Sequence, residues 1–250
     1  MPRLIALEVC VESPTGAAAA IAGGCDRLEL CSALALGGLT PSAGLVAAVL
    51  DVARPAGVPV RAMVRPRAGG FDYDAEDLAL ATAEARALIA AGVQGLVFGV
   101  IDRGRIATEA LRGWMGALGK DPPPLTLHRA IDVLDDPVAA VDQAVALGFD
   151  HILTSGGARD ASAGAETIAQ MVAQADRRLT VMAGAGIDPQ NVAGLIAATG
   201  VTAVHGSASI PANDAGEDAL GFGPLPRRTS TPIVAALRRA IDDKSNLGQL

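Results

Sequence analysis

Carboxylates and thiols recur at the same places in two short segments near the start of the chain. In Leu4-Ile5-Ala6-Leu7-Glu8-Val9-Cys10, the apolar set Ile5, Leu7, Val9 alternates with Ala6, Glu8, Cys10. In Arg27-Leu28-Glu29-Leu30-Cys31, Leu28 and Leu30 alternate with Arg27, Glu29 and Cys31. A period of two is that of a strand, so each segment has one apolar face and one face that carries chemistry. With the apolar faces under helices, Glu8 is expected beside Glu29 and Cys10 beside Cys31. Two thiolates on neighbouring strands suit a soft ion such as Cu(I). Zinc fits less well, because only His128 and His205 remain to complete a four-ligand site and no closely spaced ligand pair exists.

A second chemistry uses the same strand ends. Arg65 and Arg67 offer charge and fork geometry for a carboxylate or phosphate. His128, in the alternating segment Leu125-Thr126-Leu127-His128-Arg129, has a side chain that ordinarily exchanges a proton near neutral pH. The turns Thr154-Ser155-Gly156-Gly157, Gly184-Ala185-Gly186 and Gly206-Ser207 let backbone N–H groups approach an anion. Together these residues predict an isomerase- or lyase-type enzyme for a small anionic carbonyl or sugar-phosphate-like metabolite. His128 and Glu29 would be its acid and base, with Glu8 beside them. Arg65, Arg67, Ser155, Gly184, Gly186, His205 and Ser207 would bind the substrate. Arg27 and Arg61 lie lower on their strands and read as an internal ion-pair layer. Cys25 precedes the second strand and belongs at the opposite end.

Eight strand-like segments, ending near Cys10, Cys31, Arg65, Val100, Arg129, Thr154, Ala183 and Ser207, alternate with helical stretches. That is the pattern of an α/β chain folded as a single-domain (β/α)8 TIM barrel spanning residues 1–250. In such a barrel the C-terminal strand ends form the functional face, which gathers the residues above. A doubly wound open sheet is the alternative, but no glycine-rich fingerprint follows the first strand. Residues 211–232, rich in Pro, Gly, Asp and Ser, read as one long irregular loop before a last helix over Ile233–Ile241.

The formal charge of −7 argues against binding a phosphate backbone, which needs clustered Lys and Arg. Glu8 and Glu12 interrupt the apolar N-terminal run and separate it from a secretory signal. No uninterrupted apolar stretch approaches the roughly 18 residues of a membrane span. The three cysteines, an odd number, fit reduced thiols in the cytoplasm better than a disulfide framework.

Several segments taken together resemble the copper homeostasis protein CutC family. They are Leu7-Glu8-Val9-Cys10, Asp26 to Ala33, Gly37-Gly38-Leu39-Thr40-Pro41-Ser42, Arg65-Pro66-Arg67, Val97 to Val100, His128-Arg129-Ala130, Leu153 to Gly157 and Met182 to Gly186. The resemblance implies a cytoplasmic, homo-oligomeric barrel associated with copper tolerance, with Cys10 and Cys31 as the Cu(I) ligands. The chain departs from the family pattern where Leu36, Gly70 and Ala107 replace acids, which removes a carboxylate from each of three loops at the mouth.

Overall fold

A computed structural model of the chain describes residues 4–212 and 227–247. The alternating segments form eight strands: β1 Ala6–Val11, β2 Arg27–Leu30, β3 Val60–Met63, β4 Gly95–Phe98, β5 Leu125–Leu127, β6 His151–Thr154, β7 Thr180–Ala183 and β8 Ala203–Gly206. Each pairs in parallel with the next, and β8 returns to β1 to close the barrel. The outer helices are α1 Pro14–Ala22, α2 Ala43–Ala53, α3 Ala75–Ala91, α4 Thr108–Ala117, α5 Ala140–Leu147, α6 Ala165–Ala175, α7 Val192–Thr199 and α8 Thr231–Leu247. Local signals set several helix starts: the side chains of Ser13, Ser42 and Asp74 accept from the N–H groups of Gly16, Leu45 and Asp77.

The period of two divides the strands into two packed layers. Leu7, Val9, Leu28, Leu30, Val60, Ala62, Leu96, Phe98, Ile152 and Val204 belong to the large core that also contains the buried helix residues. Their alternating neighbours face the barrel axis, in one small cluster of Cys31, Met63 and Val97 and another of Leu153, Met182 and Ala203. Below the mouth, charged groups fill the interior as pairs. Arg61 makes a bidentate contact with Asp150 at 2.5 and 3.1 Å and reaches Thr126 Oγ1 at 2.5 Å. Arg27 donates to Glu8 Oε2 at 2.5 Å and lies 3.1 Å from His151 Nε2, whose ring contacts Asp150 at 2.7 Å. The ion-pair layer expected of Arg27 and Arg61 is therefore present.

The register differs from the side-by-side expectation. Glu8 pairs with Arg27 and Cys10 with Glu29, which leaves Cys31 beyond the end of β2, its N–H donating to Val11 O at 3.0 Å. Closing a barrel tilts and staggers its strands, so residues at equal positions along adjacent strands do not face each other. A second correction concerns the long loop. Ser209–Pro211 pairs antiparallel with Arg227–Thr229, and α8 starts at Thr231, so both ends of residues 211–232 carry regular structure. Residues 213–226 lie outside the described residues.

Replacing Arg61 with Met keeps the apolar stem but strands Thr126 and leaves Asp150 with its His151 contact and no guanidinium. Breaking a fully buried pair costs about 3–5 kcal/mol, and because the Asp150 side chain is 38% exposed the expected loss is roughly 2 kcal/mol. Urea unfolding checks this, and an unchanged midpoint would show that the layer contributes nothing to stability.

Candidate functional site

A cavity of about 310 Å3 opens at the C-terminal end of the barrel. Of the residues singled out in the sequence, Cys10, Glu29, Arg65, His128, Gly186, His205 and Ser207 line it. Glu8 stands directly behind. It is 1% exposed, and the β1–β8 register sets it beside His205. Its Oε1 lies 2.8 Å from His205 Nδ1 while Oε2 takes the Arg27 contact. Burial works to raise the Glu8 pKa, but the Arg27 guanidinium and His205 outweigh it and hold the group at about 2. Burial also works against a charged His205, yet Glu29, Cys10 and the bond to Glu8 push its pKa well above the usual range. One His205 nitrogen is thus tied to the Glu8 carboxylate, and the other faces Glu29 Oε2 at 3.7 Å. Cys10 Sγ, a Glu29 oxygen and a His205 nitrogen all lie within 4.8 Å of one another.

Cys31 is placed differently. Its thiol donates to Glu29 Oε2 at 3.6 Å, packs with Met63 and Val97, and does not line the cavity. Gly38 lies over it: at φ +85° a Cβ there would come within 3.1 Å of the sulfur, so the loop closes this tightly only without a side chain. Burial first, and then the Glu29 carboxylate, push the Cys31 thiol well up. Glu29 is itself raised by burial and by Glu8, only partly offset by His205.

His128 is held differently from the freely exchanging imidazole that its residue type suggested. The residue opens a short turn, Arg129–Val133, and its Nδ1 accepts from the Ala130 N–H at 3.2 Å. The ring proton therefore sits on Nε2. Burial and the nearby Arg65 charge lower the pKa to about 3, so His128 is a neutral hydrogen-bond donor. Its ring packs against Phe71, with centroids 4.7 Å apart, and over Gly99, where a Cβ would meet the ring at 2.9 Å.

Three other expected binding residues do not reach the cavity. Arg67 turns outward to Asp77 Oδ2 at 2.8 Å and the Asp72 carbonyl at 2.6 Å. Ser155 is buried in a knot around Asp132, whose carboxylate accepts from the Ser155 and Gly157 N–H groups, the Thr154 hydroxyl and Arg129 Nε. Gly184 makes room for its neighbours, since a Cβ there would come within 2.5 Å of Leu153 Cδ1. Conversely, Met63 and Phe71 line the cavity without having been singled out. By a period of two, Met63 falls on the same strand face as Arg61 and Arg65, which is the signal the sequence offers for it.

Residues 5–210 match the family described as the CutC family. The chain belongs to the CutC family. A CutC family protein of Rhizobium meliloti (strain 1021) is 44% identical over 243 residues, covering 95% of this chain and 96% of that protein. One of Caulobacter vibrioides (strain NA1000 / CB15N) is 44% identical over 246 residues, covering 95% and 97%. The crystal structure of CutC from Streptococcus agalactiae, described as a candidate copper homeostasis protein, aligns with a TM-score of 0.77 at 31% identity, covering 81% of this chain and 98% of that one. Every CutC-family segment quoted from the sequence except Val97 to Val100 contributes a residue to the cavity lining. At Leu36, one of the departures, the backbone still serves the mouth, because its carbonyl accepts from Arg65 Nη1 at 2.8 Å.

The His128 assignment carries a pH signature. A histidine whose folded pKa is depressed contributes stability that is present above its unfolded pKa of about 6.5 and is lost as pH falls towards about 3. The His205 contribution has the opposite sign and is fully present throughout that window. His128→Asn, which keeps an acceptor for the Ala130 N–H, should lose stability less steeply than wild type between pH 7 and pH 5. Parallel urea midpoints for the two proteins would contradict a neutral buried His128.

Proposed function

We propose that the chain binds Cu(I) at the barrel mouth in the service of copper homeostasis, with Cys10 and His205 as ligands and Glu29 beside them. The observation that carries this reading is the Cys10, Glu29 and His205 cluster with the second His205 nitrogen bonded to Glu8. A metal-binding histidine almost always gives its other N–H to a carboxylate or carbonyl, which fixes ring and tautomer. Glu8 supplies that partner, and Arg27 anchors Glu8. The donor set fits a soft monovalent ion, since a thiolate and an imidazole are its accepted ligands and the Met63 thioether lines the same cavity. The description of the Streptococcus agalactiae relative points the same way.

The proposal revises the expected pair of thiolates. Cys31 is engaged with Glu29 behind the cavity wall, so we assign it to shaping the site. Binding requires His205 to release its proton, and affinity should therefore fall with acid. A thiolate ligand implies a reducing compartment, and we take the cytoplasm as that compartment. Self-association into a homo-oligomer is part of the same proposal and derives from the family resemblance.

Anaerobic titration against a competing Cu(I) chelator is the test. Wild type should take one equivalent; Cys10→Ser and His205→Gln should each weaken binding at least about tenfold, whereas Cys31→Ser should stay within a few-fold of wild type. Equal losses for Cys10→Ser and Cys31→Ser would restore the two-thiolate site. Failure of the wild type to compete for the ion would sink the copper reading altogether.

A further inference from the structure

Cu(I) leaves part of the cavity unexplained. Glu29 Oε1, Arg65 Nε and His128 Nε2 are buried and have no hydrogen-bond partner among the described residues. All three residues line the cavity and are at most 6% exposed. An unmet polar atom in such a place is costly, and three around one cavity form a concentration that a folded chain ordinarily avoids.

The two donors are fixed in place. Arg65 spends both Nη1–H bonds on the carbonyls of Leu36 and Gly38 and one Nη2–H on that of Gly69, at 2.8 to 3.0 Å, which leaves Nε as its one nitrogen with no partner among the described residues. No carboxylate among the described residues pairs with its charge. His128 presents Nε2–H because Nδ1 is occupied by Ala130. Both side chains pack on Phe71, with Arg65 Cζ 5.2 Å from the ring centroid and the His128 ring 4.7 Å away. One cation and two N–H donors thus meet around a single ring. Leu34, Met63, Leu153 and Ile187 give the wall an apolar part, beside the polar Cys10, Arg129, His205 and Ser207, and the volume stands at the small end of ligand pockets.

We propose that the cavity also takes a small organic hydroxycarboxylate, its carboxylate seated on Arg65 Nε–H and His128 Nε2–H and its hydroxyl facing Glu29 Oε1. A monoanion with two oxygens matches one cation and two donors. A phosphate ester matches less well. The glycine turn most suited to cradle one, Ser155 to Gly157, is filled by the carboxylate of Asp132, which takes the N–H groups of Ser155 and Gly157. The apolar wall then accepts a short hydrocarbon body. This assignment shares Glu29 with the copper cluster, but its two donors, Arg65 and His128, are not copper ligands, so binding to the metal-free chain tests it separately.

Calorimetry on the metal-free full chain with 2-hydroxyisocaproate, 4-methylpentanoate and inorganic phosphate is the experiment. The expected order is saturable binding of the hydroxy acid, at least about tenfold weaker binding of the acid without the hydroxyl, and weaker binding still of phosphate. His128→Asn should weaken the hydroxy acid at least about tenfold. Should that variant fold poorly, nitrogen NMR of the wild-type imidazoles replaces it: the hydroxy acid should move the His128 Nε2 resonance more than Nδ1. Phosphate binding as tightly as the hydroxy acid, equal affinity for the two carboxylic acids, an unmoved Nε2 resonance, or no binding at all would each overturn the assignment.

Discussion

The carboxylate of Glu8 is the charge around which the barrel interior is arranged. Holding an ion at this depth costs several kcal/mol unless its lone pairs are met, and here both oxygens are, by Arg27 on β2 and His205 on β8. The same two contacts link the seam where the barrel closes to the layer beneath it, because Arg27 continues to His151 and His151 to Asp150 and Arg61. Upwards, they fix the orientation of His205 and the tautomer it presents to Cys10 and Glu29. One buried anion thereby couples strand closure to the chemistry at the mouth.

The loops over the mouth are held by side chains that address the backbone. Arg65 bonds carbonyls in the loops after β2 and β3, and Asp132 gathers amide groups in the loop after β6. Because these contacts use main-chain atoms, the side chain at a position such as Leu36 is free to change while the clamp persists. The cavity that results is small and mostly fixed, which suits a ligand recognised by a few placed donors.

Much of this could be read from the sequence. Strict alternation in segments such as Leu4 to Cys10 predicted which residues face the axis, and the repeated strand and helix pattern predicted the closed barrel. Register could not be read, because stagger is a property of closure and leaves no local mark; Cys10 accordingly lies beside Glu29, with Cys31 displaced. The direction of Arg67 and the enclosure of Ser155 depend on Asp77 and Asp132, tertiary partners that no periodicity names. For His128, residue type suggested a proton shuttle, whereas a single backbone N–H, that of Ala130, together with burial makes it a neutral donor.

The claim at the centre of this account is that Cu(I) is bound by one thiolate and the imidazole that Glu8 orients. X-ray absorption at the copper edge of the Cu(I)-loaded protein tests it most directly. The account predicts sulfur scattering together with an imidazole nitrogen contribution that disappears in His205→Gln. A coordination shell of sulfur alone, unchanged by that substitution, would contradict it.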